Sequence, residues 1–316
     1  MAMRIWVLGG GLIGGGWAVA FAAAGHDVTV IDPAESAPAR LSTLWQTAIP
    51  VMERAGIPAP RRMPEVRPAA DGPAPDWVQE CLPEDLALKQ EALQQLELLL
   101  RPDTIIASSS SGLSPDAIAA ALVHPERVVI AHPCNPSYLM PVVEICGGTK
   151  TPDAVLDQAE EMFTAMGRTV LRLNRAMPGH LVNRLQAALW REAVFLAREG
   201  VASVGDIERA VTLGLGPRWS IIGPSTVFHI SGGEGGMAAF LDALGNEFER
   251  WWATLGTPTL DAETRRFLVD AMARADRRPV SEIAAARDAA LPELLAFLEK
   301  QRRRLSVNIT KGGNDT

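Results

Sequence analysis

Residues 4–32 read RIWVLGGGLIGGGWAVAFAAAGHDVTVID, and this stretch decides the fold. An apolar run typical of a buried strand passes through a glycine-rich turn into a helix of small residues, and a second strand-like run follows. Gly9, Gly11 and Gly14 form a GxGxxG pattern. Gly9 suits a tight turn, Gly11 lets the backbone approach a pyrophosphate, and Gly14 lets the helix pack against the strand. The stretch therefore predicts a βαβ unit that binds a dinucleotide.

The residues around this turn also indicate which dinucleotide is bound. Asp32 ends the second strand-like run, at the distance where an acid is expected to bond the ribose 2'-hydroxyl and to repel a 2'-phosphate. The next arginine along the chain is Arg40. The start of the helix, with Leu12 and Ile13, should present backbone N–H groups to the phosphates. The sequence therefore favours NAD over NADP.

The rest of the first half alternates helix-like segments with the strand-like runs WVQECLP, TIIASSSS, RVVIAHP and VVEICGG. This alternation predicts a parallel sheet covered by helices. Residues 56–76, GIPAPRRMPEVRPAADGPAPD, are dense in proline and are expected to form a loop with at most one short strand.

From about Pro178 the pattern becomes amphipathic and helical. We therefore predict a Rossmann-type doubly wound α/β domain at residues 1–177, followed by an all-helical domain at residues 178–316. The polar end of the chain, RRRLSVNITKGGNDT, is expected to be frayed.

Composition excludes several classes of protein. The chain has 316 residues, 47% of them hydrophobic, and a net charge of -7, which argues against non-specific binding of nucleic acid. No apolar stretch approaches the ~18 residues of a membrane span, and the first apolar run leads into glycines rather than a cleavage site. Cys81, Cys134 and Cys146 form no CxxC pair, so we expect reduced thiols, no metal site and a cytoplasmic location.

One of the five histidines, His132, stands out as a candidate general base. It ends the run RVVIAH at its carboxyl end, where ligands of open α/β sheets bind, whereas His26, His124, His180 and His229 do not follow such a run. An imidazole with a pKa of ~6.5 can accept and return the proton of an alcohol.

A candidate partner for this histidine follows in the next strand-like run. Three prolines in HPCNPSYLMPVVE lead to Glu144, and a carboxylate bonded to one ring nitrogen would fix the tautomer. Spacing alone leaves open that His132 merely ends a strand and that Glu144 is a surface acid.

Five segments, in this order, resemble the 3-hydroxyacyl-CoA dehydrogenase superfamily over nearly the whole chain: GGGLIG, VQECLPEDLALK, IIASSSSGLSP, HPCNPSYLMPVVE and PGHLVNRL. The resemblance implies that His132 and Glu144 form the catalytic pair. It also implies that Ser111 and Asn183 contact the substrate oxygen and the catalytic histidine. From the residues alone, the alternative for Ser111 is a polar turn that caps a helix, and the alternative for Asn183 is a buried core amide.

The resemblance also places Glu80 and Lys89 near the cofactor or the substrate, although a solvated start of a helix is the alternative. With these two, the predicted cofactor-binding set is Gly9, Gly11, Leu12, Ile13, Gly14, Asp32, Glu80 and Lys89. No metal ligand is predicted.

Length and detail are closer to the branch of the superfamily that acts on free acids. QECLPE, SSSSGL, NRLQ and GLGPRWSIIGP resemble the L-gulonate 3-dehydrogenase type, which includes λ-crystallin. HPERVVIAHPCNPSYLMPVVEICGG, ALWREA and ISGGEGGM resemble the L-carnitine dehydrogenase type. Two departures weaken the second resemblance: His229 and Asn183 stand where carnitine-type sequences tend to carry arginine and aspartate.

Two groups of residues are candidates for binding such a substrate. Arg218, beside Trp219, is a candidate for binding the carboxylate through two parallel hydrogen bonds, with a helix-surface arginine as the alternative. A trimethylammonium group would need an aromatic cage. Its candidate side chains are Tyr138, Trp219, Phe228, Trp251 and Trp252. For Trp251 and Trp252, packing between helices is the stronger alternative.

The sequence thus predicts NAD-dependent oxidation of the 3-hydroxyl of a small free L-3-hydroxy acid, by a homodimer joined through the helical domain. One alternative is a dehydrogenase of CoA thioesters, for which Arg61, Arg62 and Arg67 could bind the nucleotide phosphates. Another is a catalytically silent, crystallin-like structural protein, against which the intact set of candidate catalytic residues argues.

Overall fold

The structure, a computed structural model, describes residues 2–305. Contacts between Cα atoms divide the chain into two compact units, between Leu185 and Gln186. This division falls inside the helix Val182–Arg198, whereas the domain boundary predicted after residue 177 precedes that helix. The predicted boundary stays a prediction.

The first unit is built on an eight-stranded sheet. Its strands are β1 (Arg4–Leu8), β2 (Asp27–Ile31), β3 (Glu65–Arg67), β4 (Trp77–Glu80), β5 (Ile105–Ser108), β6 (Val128–Pro133), β7 (Val142–Gly147) and β8 (Thr169–Arg172). They lie in the order β3-β2-β1-β4-β5-β6-β7-β8. The chain leaves β1 toward one edge and returns to β4 on its other side, which confirms the predicted doubly wound, Rossmann-type topology.

The helices of this unit connect the strands. They are α1 (Leu12–Ala23), α2 (Ala37–Arg54), α3 (Leu86–Glu97), α4 (Pro115–Ala119) and α5 (Asp153–Ala165), and α6 (Val182–Arg198) begins here. The proline-rich residues 56–76 contain only β3, which pairs with β2 at the edge of the sheet, as expected of that loop.

Polar side chains are buried in the middle of the sheet. Every residue of β4, β5 and β6 is buried, as in sheets covered on both faces. Yet β4 ends in Gln79 and Glu80, β5 in Ser108, and β6 has His132 as its last residue but one. Because these strands are parallel, their carboxyl ends form one edge, and this edge carries a cluster of buried polar groups.

The end of the sheet departs from the predicted parallel arrangement. β7 runs antiparallel to β6, and β8, which was not predicted, pairs parallel with β7. The connection from β6 to β7 is residues 134–141, which is shorter than the ~10–12 residues that a parallel crossover needs. In the antiparallel register His132 lies directly opposite Glu144. The antiparallel pairing therefore places the two candidate catalytic residues on facing positions.

The second unit is helical over its described residues, as predicted. After α6 come α7 (Val204–Arg209), α8 (Gly216–Trp219), α9 (Pro224–Ser231), α10 (Gly236–Thr254), α11 (Ala262–Ala275) and α12 (Val280–Leu305), with π-helical Ala210–Leu215 continuing α7. Phe228, Phe240 and Phe248 pack together with ring centroids 5.0–5.4 Å apart. Helix α12 reaches Leu305, and the rest of the predicted frayed end, residues 306–316, lies outside the described residues.

The described residues contain neither a membrane-spanning helix nor a cluster of metal-binding side chains. Among residues 2–305, no helix combines the length and the apolar character needed to cross a bilayer. Within the same residues, no group of three or more His, Cys, Asp or Glu side chains is arranged to hold a metal ion.

Candidate active site

A buried pair formed by His132 and Glu144 lies at the centre of the site. Nδ1 of His132 is 2.8 Å from Oε2 of Glu144, and the two residues are 5% and 0% exposed. Facing residues of an antiparallel pair have their Cβ atoms ~5 Å apart, so the hydrogen bond follows from the register of β6 and β7.

The second oxygen of Glu144 binds the start of α6. Oε1 accepts hydrogen bonds from the backbone N–H groups of Leu181 (2.7 Å) and Val182 (2.9 Å). Burial pushes the pKa of Glu144 up, but the hydrogen bonds from His132, Val182 and Leu181 outweigh it and hold the pKa below its ordinary value. Glu144 is therefore an anion that joins the histidine to a helix N-terminus.

This anion fixes the proton arrangement of His132. A carboxylate only accepts hydrogen bonds, so the ring carries its proton on Nδ1 and leaves Nε2 as the acceptor. Nε2 lies 3.1 Å from the hydroxyl of Ser111 and 3.3 Å from Nδ2 of Asn183, and both groups can donate to it. The structure thus brings together the four residues predicted to be catalytic, with the basic nitrogen facing two donors.

Each of the four serines at the end of β5 has its own partner or pair of partners. Ser108 donates to Glu80, Ser109 accepts from ring and amide N–H groups, Ser110 donates to an acid in the loop after β4, and Ser111 contacts the histidine. The partners, in order, are Glu80, the pair Trp17 and Gln79, Glu84, and His132. Only Ser111 of the four is exposed. Three serines are thus anchored in the protein, and the fourth faces the basic nitrogen.

Residues 179–183, which we call the latch segment, contact the serine run, Glu144 and His132. Gly179 donates its backbone N–H to the carbonyl of Ser111 (2.9 Å), and Nε2 of His180 bonds to the carbonyl of Ser110 (2.8 Å). The segment also supplies the two N–H groups for Glu144 and the amide of Asn183. It therefore ties the serine run, the acid and the histidine together.

Sequence reasoning missed Glu84. Its Oε1 accepts from the hydroxyl of Ser110 (2.6 Å) and from the backbone N–H groups of Gly112 (2.7 Å) and Leu113 (3.3 Å), on both sides of Ser111. Burial raises the pKa of Glu84, but these hydrogen bonds and the charge of nearby Lys89 have the larger, opposite effect. The pKa of Glu84 is therefore below its ordinary value. Glu84 thus holds the loop that carries Ser111. Its place in ECLPED, four residues after Glu80, was the available signal.

Glu80 and Lys89 have a different setting from the predicted one. They are 0% and 1% exposed and form an ion pair with Nζ 2.7 Å from Oε1. Lys89 also donates to the carbonyl of Leu82, and Oε1 of Glu80 accepts from the backbone N–H of the same residue. In this structure the buried pair supports the loop after β4. The predicted contact of Glu80 and Lys89 with the cofactor stays a prediction.

The glycine turn has the shape expected of a phosphate cradle. Gly9 has φ of 96°, and a Cβ there would lie 2.8 Å from the carbonyl oxygen of Cys81. A Cβ on Gly14 would lie 1.9 Å from the carbonyl oxygen of Gly9, whereas one on Gly11 would meet nothing within 4 Å. Helix α1 begins at Leu12, followed by Ile13. Gly9 and Gly14 are thus required by the protein itself, while Gly11 leaves open space at a helix N-terminus, which fits a pyrophosphate.

Asp32 is held at the rim of this cradle. Its carboxylate accepts from the backbone N–H groups of Gly10 (2.8 Å) and Ala34 (2.9 Å). Arg40, the first arginine beyond Asp32 in the sequence, reaches back to the same carboxylate at 3.0 Å. The position of the carboxylate fits the predicted contact with the ribose, and Arg40 offsets part of its charge.

Two of the predicted substrate residues, Arg218 and Trp219, lie in the second unit, whereas Asn183 lies in the first. Arg218 and Trp219 are both exposed on α8. Trp251 and Trp252 are exposed and pack on Phe248 within the aromatic cluster of that unit. Tyr138 lies in the first unit and is buried, and its place in a cation cage stays a prediction.

Comparison with known proteins covers nearly the whole chain. A family model described as 3-hydroxyacyl-CoA dehydrogenase, NAD binding domain, matches residues 4–176, and one described as 3-hydroxyacyl-CoA dehydrogenase, C-terminal domain, matches residues 179–258. L-carnitine dehydrogenase of Streptomyces griseus is 39% identical over 301 residues, which are 92% of this chain and 89% of that protein. The enzyme of the same name from Streptomyces coelicolor is 38% identical over 304 residues, 92% of this chain and 93% of that one.

A solved structure is similar over the same range. It is 5-formyl-3-hydroxy-2-methylpyridine 4-carboxylic acid 5-dehydrogenase, described as an NAD+-dependent dismutase, with 25% identity and a TM-score of 0.81. The match covers 95% of this chain and 99% of that one. Both units thus have counterparts in one protein.

The two glycines of the cradle should respond differently to the same substitution. We expect Gly14→Ala to lower the Tm, because its methyl group collides with the backbone of Gly9. Gly11→Ala should keep the wild-type Tm but weaken NADH binding by about tenfold or more, since the methyl group occupies the space for the pyrophosphate. Thermal unfolding and titration of NADH fluorescence measure both; wild-type affinity in Gly11→Ala would place the cofactor elsewhere.

The lowered pKa of Glu144 predicts how stability depends on pH. A carboxyl group whose pKa is lower in the folded state than in the unfolded chain stabilises the protein at pH values above its ordinary pKa of about 4.5. This stabilisation is lost as the pH falls through the pKa of the folded state. In urea unfolding, wild type should exceed Glu144→Gln in stability at neutral pH, and the difference should shrink below pH ~4.5. A difference that grows toward acid would contradict the assignment.

Proposed function

This chain belongs to the 3-hydroxyacyl-CoA dehydrogenase family, whose members are NAD-dependent oxidoreductases acting on CH–OH groups, and from this premise we propose that it oxidises the 3-hydroxyl of a small free L-3-hydroxy acid. L-carnitine is the first candidate substrate, because the curated relatives at 34–39% identity carry the name L-carnitine dehydrogenase.

One observation carries the proposal: Nε2 of His132 lies 3.1 Å from the hydroxyl of Ser111 and 3.3 Å from Nδ2 of Asn183, while Nδ1 lies 2.8 Å from the buried carboxylate of Glu144. In the reaction Nε2 takes the proton of the 3-hydroxyl, and Ser111 and Asn183 orient that oxygen. Glu144 offsets the positive charge that then develops on the ring. When bound, NAD supplies the acceptor for the hydride that leaves C3.

The cofactor is held by the first unit. Gly9, Gly11 and Gly14 shape the cradle for the pyrophosphate, and the backbone N–H groups at Leu12 and Ile13 offer it hydrogen bonds at the N-terminus of α1. The carboxylate of Asp32 accepts hydrogen bonds from the ribose hydroxyls.

For the substrate, we propose that Arg218 binds the carboxylate and that Trp219 contributes to an aromatic surface for the trimethylammonium group. Exposed Trp251 and Trp252 are the further aromatic candidates. Asn183, which stands where carnitine-type sequences tend to carry aspartate, keeps the alternative of a polyhydroxylated acid such as L-gulonate open.

Two other functions make different demands on the site. A dehydrogenase of CoA thioesters would use the same catalytic pair and would need a basic surface for the nucleotide; of the loop arginines, Arg67 is already paired with Glu65 and Asp71. A silent structural protein would have no use for an oriented histidine and its two donors. The names of the relatives therefore support a free-acid dehydrogenase over one of CoA thioesters, and the oriented histidine supports an enzyme over a silent protein.

We propose association of two copies through the second unit, which exposes large apolar side chains such as Leu213, Trp252 and Val269. A monomer mass in light scattering would contradict the dimer. The cytoplasmic location inferred from the sequence stays a prediction.

The test is formation of NADH with L-carnitine, L-gulonate, 3-hydroxybutyrate and 3-hydroxybutyryl-CoA. We expect turnover of a free acid by wild type, and a loss of about 10²–10⁴-fold in kcat/KM for His132→Asn, which removes the proton acceptor. His124→Asn is the matched control, since His124 is partly exposed and bonds Glu126 away from the pair. Turnover of the CoA ester alone would favour the alternative dehydrogenase, and full activity of His132→Asn would refute the mechanism.

A further inference from the structure

We propose that His180 is a positioning residue for the proton transfer, because it fixes the ring of His132 relative to the hydroxyl of Ser111. The inference rests on the proposed function, since it assumes that the His132–Glu144 pair carries the reaction. His180 does not touch the reacting oxygen in this account, and it acts through its two neighbours.

The backbone of His180 is unusual. With φ of 45°, it is the one non-glycine residue with positive φ among the residues described. Residues with a Cβ seldom adopt this region, and such strain persists where the surrounding structure demands it. Here the demand comes from the following two residues, whose N–H groups both point at Oε1 of Glu144.

The side chain joins the two sides of the site. His180 is 3% exposed, and its ring centroid is 5.1 Å from that of His132 with 44° between the planes. Its Nε2 is 2.8 Å from the carbonyl oxygen of Ser110, the residue before Ser111. A carbonyl only accepts, so Nε2 carries the hydrogen. One ring thus packs against the base and, through its N–H, holds the loop that carries the hydroxyl donor.

The other ring nitrogen of His180, Nδ1, destabilises the folded protein, and no contact within the described residues compensates for it. Nδ1 is buried, and no hydrogen-bond partner for it is found among the described residues. Native proteins rarely leave a buried polar atom unpaired. A phenylalanine would fill the same space without this atom, and an asparagine would adopt the backbone conformation more readily. What histidine adds over both is a flat ring that also donates a hydrogen bond.

Two substitutions separate these contributions. His180→Phe keeps a ring against His132 and removes the N–H donor, whereas His180→Asn keeps an amide donor and removes the ring. His26→Phe is the matched control: His26 is partly buried, contacts the edge of Phe21 and accepts a hydrogen bond from the backbone N–H of Met3, at the amino end of β2. The measurements are kcat, KM, NADH affinity, Tm and the isotope effect on kcat with substrate deuterated at C3.

We expect kcat of both His180 variants to fall on the order of 10- to 100-fold, because moving the reacting groups by up to about 1 Å has effects of this size. NADH affinity should stay within about twofold of wild type, since the cradle is untouched. The isotope effect should rise, because the chemical step becomes more strongly rate-limiting. His26→Phe should leave all of these values unchanged.

A lower kcat with an unchanged isotope effect and a lower Tm would show a smaller folded fraction and would overturn the proposal. Wild-type kcat in His180→Phe would overturn it as well.

If wild type oxidises none of the substrates, the proposed function fails, and the positioning role is judged by nitrogen-15 NMR of labelled histidines. His132 should then keep its proton on Nδ1 in wild type and in both His180 variants, because Glu144 is retained. The Nε2 resonance should shift or broaden in both variants, because the contact of Nε2 with Ser111 loosens. An Nε2 resonance unchanged in both variants would overturn the proposal.

Discussion

The hydrogen bond between His132 and Glu144 is the constraint on which the rest of the site depends. A fully buried carboxylate needs donors for both oxygens, and these come from the imidazole and from the N-terminus of α6. One ion therefore determines the tautomer of the histidine, the direction in which its basic nitrogen faces, and the residue at which the helix begins. The strained backbone of His180 follows from the same requirement.

The segments around this ion are also bonded to one another. The loop after β5 meets the latch segment through the carbonyls of Ser110 and Ser111, and the latch segment meets β7 through Glu144. Glu84 and the buried Glu80–Lys89 pair support the loop from the side of β4. The polar groups named here are thus satisfied by neighbouring residues, whereas Nδ1 of His180 has no hydrogen-bond partner among the described residues.

The sequence predicted the parts of this arrangement that depend on local pattern. The glycine turn, the strands that precede Ser108 and His132, and the helical second half follow from periodicity and spacing, and the resemblance to a family identified His132, Glu144, Ser111 and Asn183. Strand direction was wrong for β7, because alternation of elements does not reveal that residues 134–141 are too short for a crossover helix. Glu80 and Glu84 stand four residues apart in one motif, and only the packed structure distinguishes the buried acid from the one that holds the serine loop. His180 was missed because its role arises from a backbone angle and from a contact between distant segments.

The facing positions of His132 and Glu144 also determine which insertions and deletions the protein tolerates. Side chains of a strand alternate between two faces, so inserting or deleting one residue within β6 or β7 turns one partner to the opposite face. Such an event would separate the base from its acid even though every residue of the motif is retained. Substitutions within the connecting residues 134–141 leave the pairing register intact. Over evolutionary time the length of these two strands is therefore more restricted than the composition of the loop between them.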